Sequence, residues 1–183
     1  QLGAKLERHA DNVAPALLGG CQIVLQESGK YLTFPVPLPG NLRAVLFIPD
    51  FAMSTAHARR ILPGNVPRAD AVFNLGRVAL LSLALSTGKL GYLKVATEDR
   101  LHQPARQSIF PAMGNIFQAA LEAGALGAFL SGSVSTILAL TEDESLSGPI
   151  AQAMQAAAAK VGVNGKVGTA RPTALGSHVV APR

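Results

Sequence analysis

Two short apolar runs near the start of the chain, "CQIVLQ" and "KYLTFPV", flank the turn signal Ser28-Gly29 and predict a β-hairpin. The proline-rich "PVPLPGN" that follows reads as a linker, with a boundary near Asn41. Beyond it "RAVLFIPD" is a continuous apolar run, the pattern of a strand buried on both faces. Helical spacing then takes over. Ser54 or Thr55 is placed to cap "AHARRIL", and helices are predicted over about 68–87, 89–101 and 112–123. In the third of these Ile116, Phe117, Ala120 and Leu121 form one face and Gly124 supplies the stop. The segment "SGPIAQAMQAAAAKVG" reads as a further helix, with Ser147 as cap, Pro149 in the first turn and Ile150, Met154, Ala157 and Val161 on one face. "GKVGTA" is the last predicted strand. Upstream, "QLGAKLERHADN" reads as helix from its first residue, so further sequence is expected before it; Asp11 is then the expected cap of "NVAPALLG".

The order strand, helices, strand, strand, helix, strand implies an α+β fold, an antiparallel sheet with helices on one face. Within it "FLSGSVSTILAL", from Phe129 to Leu140, sets a Gly-Ser tract between two apolar runs. A phosphate cradle needs free backbone N–H groups running into a helix N-terminus. Here the tract runs into "TILAL", an apparent strand, so a hairpin turn is favoured.

Composition narrows the function classes. The 183 residues are 49% hydrophobic, enough for a sizeable core. The formal net charge of +5 invites an anionic partner, but the basic residues stand in ones and twos, with no Trp and two Tyr. That distribution speaks against nucleic acid and against a membrane surface, and favours a small anionic ligand. The single cysteine, Cys21, rules out an internal disulfide framework, fits a reducing compartment and reads as inert packing; no Cys/His spacing resembles a zinc site. The apolar tract "AVFNLGRVALLSLALSTG" contains Asn74 and Arg77 and is expected to be a core helix, not a membrane span.

Three segments can hold a small ligand. His9, Asp11 and Asn12 gather at a helix entry, where capping by Asp11 is the simpler reading. Thr55 and Arg59 are four apart and share a helical face, able to present a hydroxyl and a guanidinium to one anion. In "EDRLHQPAR" Pro104 is expected to end a helix and place Arg106 in a loop, either as an anion clamp or beside a solvated, ion-paired face.

Taken in order, "HADNVAPALLGG", "LFIPDFAMSTAHARRILP", "ADAVFNLGR", "EDRLHQPARQSIFP" and "ALEAGALGAFLSGSVSTILAL" resemble the homoserine kinases of the GHMP small-molecule kinase superfamily, over most of the chain after about residue 5. The resemblance implies a ferredoxin-like GHMP kinase C-terminal domain over residues 41–183, preceded by the tail end of the N-terminal domain over residues 1–40. It implies transfer of the γ-phosphoryl group of ATP to the side-chain hydroxyl of L-homoserine, on the route to threonine, by a homodimer in the cytoplasm, or in the plastid stroma of a plant or alga. ATP and Mg2+ would be held mainly by an N-terminal part that these residues do not include, so this stretch alone is expected to be inactive. The substrate side would be formed by His9, Asn12, Thr55, Arg59 and Arg106, and the cleft-facing glycine motif by Ser131, Gly132 and Ser133. No residue stands out as a general base and none as a metal ligand.

The chain departs from the family pattern at Ala10, Ala105 and Val134-Ser135, in places where the family favours proline, an aromatic residue and glycine-proline. These departures keep open a reading from another class, a non-catalytic or degenerate module that binds a small amino acid. A kinase of the same superfamily acting on a different alcohol is the third reading.

Overall fold

The computed structural model describes residues 10–52, 54–132 and 135–180, with the side chain of Thr55 outside that set. Helix α1 (Val13–Leu18) leads into β1 (Cys21–Glu27) and β2 (Lys30–Val36), which pair antiparallel from Cys21↔Val36 to Glu27↔Lys30. The turn between them is tight because Ser28 and Gly29 both adopt positive φ, 49° and 75°, the geometry that matches the strand twist. Asn12, not Asp11, is the α1 cap residue, and it makes no side-chain capping bond.

A second sheet has the strand order β4-β5-β3-β6, all neighbours antiparallel, from β3 (Arg43–Pro49), β4 (Gly127–Leu130), β5 (Ile137–Thr141) and β6 (Gly165–Ala170). Between β3 and β4 run α2 (Thr55–Arg60), α3 (Arg68–Thr87), a 3-10 turn (Leu90–Tyr92), α4 (Leu93–Ala96), α5 (Gln103–Gln107) and α6 (Met113–Glu122). A 3-10 turn (Glu144–Leu146) and α7 (Ser147–Lys160) join β5 to β6. Placing β3 between β5 and β6 is the ferredoxin-like arrangement of two crossing strand-helix-strand units.

Helices α6 and α7 cover one face of this sheet. Val45, Phe47, Ile137 and Ala139 point into them and meet Ile116, Ala120, Ile150, Met154 and Ala158, all fully buried. The opposite face is covered on its β4–β5 side by a smaller cluster, in which Leu85, Leu90 and Leu93 lie against Leu140 with Phe129 and Leu138 beside them. Burial along β3 therefore alternates, and Ile48 is 47% exposed, where the run of apolar residues predicted burial on both faces.

Four further expectations are corrected. Residues 89–101 do not form one helix: the 3-10 turn and α4 end at Ala96, and a capped turn follows. Pro104 does not end a helix but sits in the first turn of α5, where its missing N–H costs nothing, and Arg106 lies inside that helix. Ser147 is the first residue of α7 and not its cap, because the 3-10 turn, capped by the Asp143 carboxylate, hands directly into the helix. Val161 ends exposed beyond the helix.

Nor is α3 a core helix. Only Ala84 and Leu85 are buried along it, while Val72, Leu75, Val78 and Leu83 are exposed. It is the one helix among the described residues long and apolar enough to cross a membrane. Its polar side, however, is engaged within the protein: Arg77 pairs with Glu98 at 2.7 Å, and Phe73 lies between the guanidinium groups of Arg77 and Arg100, 3.7 and 3.8 Å from its ring centre.

After β6 the chain turns back over α1. Gly20 N–H donates to Thr173 O at 2.7 Å, and Ser177 donates to Ala16 O through both N–H and Oγ. At Gly176 a Cβ would fall 2.1 Å from Leu17 O, so this close approach admits only glycine.

Candidate functional site

The site is built around the start of α5. Asp99 accepts from the backbone N–H groups of Leu101, His102 and Gln103, at 3.1, 2.9 and 2.6 Å, and from Asn74 Nδ2 at 2.6 Å. The His102 and Gln103 N–H groups are donors that a helix start otherwise leaves unpaired, and the Leu101 N–H closes the turn before it, so one carboxylate shapes the turn and opens the helix. Asn74 Oδ1 in turn accepts from Arg100 N–H at 2.9 Å, which fastens the same turn to α3. Burial pushes the Asp99 carboxyl upward, but the bonds from Gln103, Asn74 and His102 and the nearby His102 ring outweigh it and hold the group below the ordinary value.

With its first turn fixed, α5 directs two side chains toward the β4–β5 connection. Gln103, buried, accepts from Leu130 N–H at 2.8 Å through Oε1. Arg106, only 6% exposed, donates from Nη1 to Gly132 O at 2.5 Å and contacts His102 Nδ1 at 3.1 Å. The Gly-Ser tract is thus a hairpin turn, closed by Ser131 N–H donating to Thr136 O at 2.8 Å, with Gly132 at φ 66° turning its carbonyl toward Arg106. On its other side Ser135 Oγ donates to Phe51 O at 3.1 Å, and Phe51 meets Phe110 edge to face at 5.2 Å. The end of β3, the hairpin turn and α5 therefore converge at one end of the sheet.

Arg59 reaches this corner electrostatically. Burial pushes the Arg106 guanidinium below the usual arginine range, Asp99 opposes the shift and the charge of Arg59 adds to it. Two cations thus influence each other with one carboxylate, Asp99, already committed to backbone donors. Among the described residues Arg106 Nε is buried without a hydrogen-bond partner. A buried unpaired donor on a guanidinium, near a second arginine, fits an anionic ligand, and a carboxylate matches it best through paired charge-assisted bonds.

Of the residues expected at the site, Arg106 and Gly132 are in direct contact, Arg59 is coupled to Arg106 by charge, and Ser131 closes the turn. Asn12 is exposed at the α1 cap, with no bond joining it to these groups among the described residues. His9 and Ser133 lie outside the described residues, as do Val134 and the side chain of Thr55. Asp99, Asn74, His102 and Gln103 went unassigned in the sequence reading. The signal that could have found the turn is an Asp five residues before a first-turn proline, a helix-start pattern that a charge-rich reading of "EDRLHQPAR" obscured. Burial pushes the half-buried Cys21 thiol upward, in keeping with an inert role.

Neither ATP nor Mg2+ finds a fitting place among these groups. The described residues contain no cluster of three or more His, Cys, Asp or Glu able to hold a metal ion. The Gly-Ser tract leads into a strand and so presents no helix N-terminus to a triphosphate.

A family model described as "GHMP kinases C terminal" matches residues 80–160, from α3 through α7. A homoserine kinase of Microchaete diplosiphon is 43% identical over 167 residues, which cover 91% of this chain and 54% of that protein. One from Gloeobacter violaceus is 48% identical over 141 residues, covering 76% and 46%. The crystal structure of homoserine kinase from Cytophaga hutchinsonii superposes with a TM-score of 0.86 at 32% identity, over 92% of this chain and 53% of that one. The chain spans about half the length of the curated relatives it matches. In sequence and in fold alike, the chain is similar to homoserine kinases, and over residues 80–160 it matches the C-terminal domain of the GHMP kinases.

Proposed function

We propose that this chain forms the substrate-gripping part of an ATP-dependent homoserine kinase. The observation that supports this most directly is the corner where buried Arg106, whose Nε has no partner among the described residues, lies within electrostatic reach of Arg59. In this reading the two arginines hold the α-carboxylate of L-homoserine, and Thr55, His9 and Asn12 complete the grip around its amino and hydroxyl groups. ATP would supply the γ-phosphoryl group to the side-chain hydroxyl, the bond to the β-phosphate breaking to release ADP and the hydroxyl proton passing to the phosphate or to solvent. The work of this chain is to fix that hydroxyl in place, since phosphoryl transfer depends chiefly on positioning and electrostatics. In the same reading the glycine motif of Ser131, Gly132 and Ser133 belongs to the substrate cleft. Nucleotide and Mg2+ belong to a part of the kinase outside these 183 residues.

The same reading divides the chain near residue 41: residues 1–40 complete an N-terminal domain and residues 41–183 form the C-terminal one. It places the enzyme in the cytoplasm as a homodimer, acting on a small molecule and not on nucleic acid or at a membrane.

The test is a phosphorylation assay of the complete gene product with ATP and Mg2+ against homoserine and a panel of amino and non-amino alcohols. Preferential phosphorylation of homoserine is expected. Preference for another alcohol would reassign the substrate, and binding of homoserine without turnover would leave only an amino-acid-binding module.

A further inference from the structure

The contact between Arg106 and His102 has a chemical direction. A guanidinium can only donate, so the 3.1 Å approach of Arg106 Nη1 to His102 Nδ1 requires the ring nitrogen to accept. His102 is then neutral and carries its proton on Nε2, which lies 3.8 Å from Asp99 Oδ1. Arg106 Nη1 has two hydrogens, and both are taken, one by His102 and one by Gly132 O. Among the described residues, what remains for a ligand is the Nε–Nη2 edge, whose Nε is buried with no partner among them. That edge offers two parallel N–H groups, the spacing that a carboxylate accepts side-on.

We infer that His102 is a positioning residue, which by occupying Nη1 selects the Nε–Nη2 edge of Arg106 as the receptor for the carboxylate of the ligand. Its action depends on the neutral ring, because protonation sets N–H against N–H and turns the guanidinium away. The charged groups around the ring are Arg106 on its own helix, Asp99 and Glu98 in the preceding turn, and Arg77 from α3, the last three lining a cavity of about 150 Å³ with it. Burial pushes its titration below the ordinary histidine value, Asp99 opposes this and Arg106 adds to it. The accepting form therefore holds at neutral pH and is lost as pH falls through the lowered value.

The kinetic arm of the test rests on the homoserine kinase reading; the spectroscopic arm does not. In the complete gene product, His102→Leu should raise KM for homoserine about tenfold, the worth of one hydrogen bond to a charged group, with kcat changed much less. His102→Gln, which keeps an acceptor, should recover most of that loss. The wild-type KM should climb in mild acid while the Gln variant stays flat there. An unchanged KM in His102→Leu, or the same acid rise in His102→Gln, overturns the inference. Independently, NMR of the histidine ring should show the Nε2–H tautomer with a lowered titration that moves upward in Arg106→Met. A ring indifferent to that substitution overturns the pairing whatever the substrate is. If the wild-type protein phosphorylates no homoserine, the functional reading fails while the ring measurement still decides the pairing.

Discussion

Arg106 and Gly132 stand 26 positions apart and meet at 2.5 Å, a side chain on a five-residue helix joined to a hairpin carbonyl. The contact makes the geometry of the hairpin and the aim of the guanidinium one property. Each depends on the Asp99 turn behind α5.

Arg106→Lys should therefore fail as a conservative change. An ammonium keeps the charge but cannot present a planar pair of N–H groups while also reaching His102 and Gly132. On the proposed homoserine kinase function, kcat/KM for homoserine in the complete gene product should fall by about tenfold or more. Steady-state kinetics at several homoserine concentrations measure it, and wild-type values in the variant would remove Arg106 from the site.

Asp99→Asn should destabilise the fold by about 2 kcal/mol, through a weakened cap and imperfectly paired backbone donors. Its pH dependence has a definite sign. A carboxyl held below its ordinary value adds stability that is fully present above that value, about 3.9, and is lost as pH falls through the lower folded one. Urea unfolding at neutral and acid pH should show the wild-type advantage shrinking in strong acid. A gap of constant size across that range would contradict the assignment.

Gly132→Ala meets no atom within 4 Å, so any cost comes from its backbone at φ 66°. A strain of about 1 kcal/mol is expected, together with a shift of the carbonyl that Arg106 uses. Thermal unfolding should register the first effect and, on the proposed function, KM for homoserine in the complete gene product the second. If both stay at wild-type values, the left-handed turn is not needed.

The core beneath the site should respond more strongly. Ile116 and Met154 are fully buried between the sheet and helices α6 and α7, and Ile116→Ala should cost about 3 kcal/mol by leaving a cavity. Chemical denaturation gives the number directly; a loss below about 1 kcal/mol would mean that the site collapses around the change.

The 183-residue chain expressed alone should self-associate. Ile23, Leu25, Leu32 and Phe34 on the hairpin and Val72, Leu75 and Val78 on α3 are exposed, Leu75 by 70%. Apolar faces of this kind, and a hairpin that pairs with no further strand among the described residues, favour contact between copies. Light scattering should report species larger than a monomer, reduced in Val72→Glu/Leu75→Glu; a monodisperse wild-type monomer would refute the expectation.

How far the sequence could be read follows from the range of each interaction. Helices α6 and α7, strands β3 to β6 and the Ser28-Gly29 turn were legible because their signals are local: periodic apolar positions, glycine stops and a two-residue turn. Composition favoured a small anionic ligand, and the ordered motifs resembled the homoserine kinases to which the chain is similar. The helical pattern at 89–101 misled because an apolar face persists through "LGYLKVA" while the chain turns at Thr97, close against Gly127 of β4. The exposure of α3 was equally illegible, since an apolar period states which residues seek burial and not whether anything covers them.

Local chemistry within a few residues encodes the hairpin, strands β3 to β6, helices α6 and α7 and with them the α+β class, but not the short helices between residues 89 and 107. Only long-range packing decides that Asn74 of α3 fastens the Asp99 turn, that Arg106 lies buried against a glycine carbonyl, and that Arg59 is close enough to shift it. Those facts depend on sheet order and helix docking, which bring distant segments within hydrogen-bond and Coulomb range, and no spacing along the chain encodes them locally.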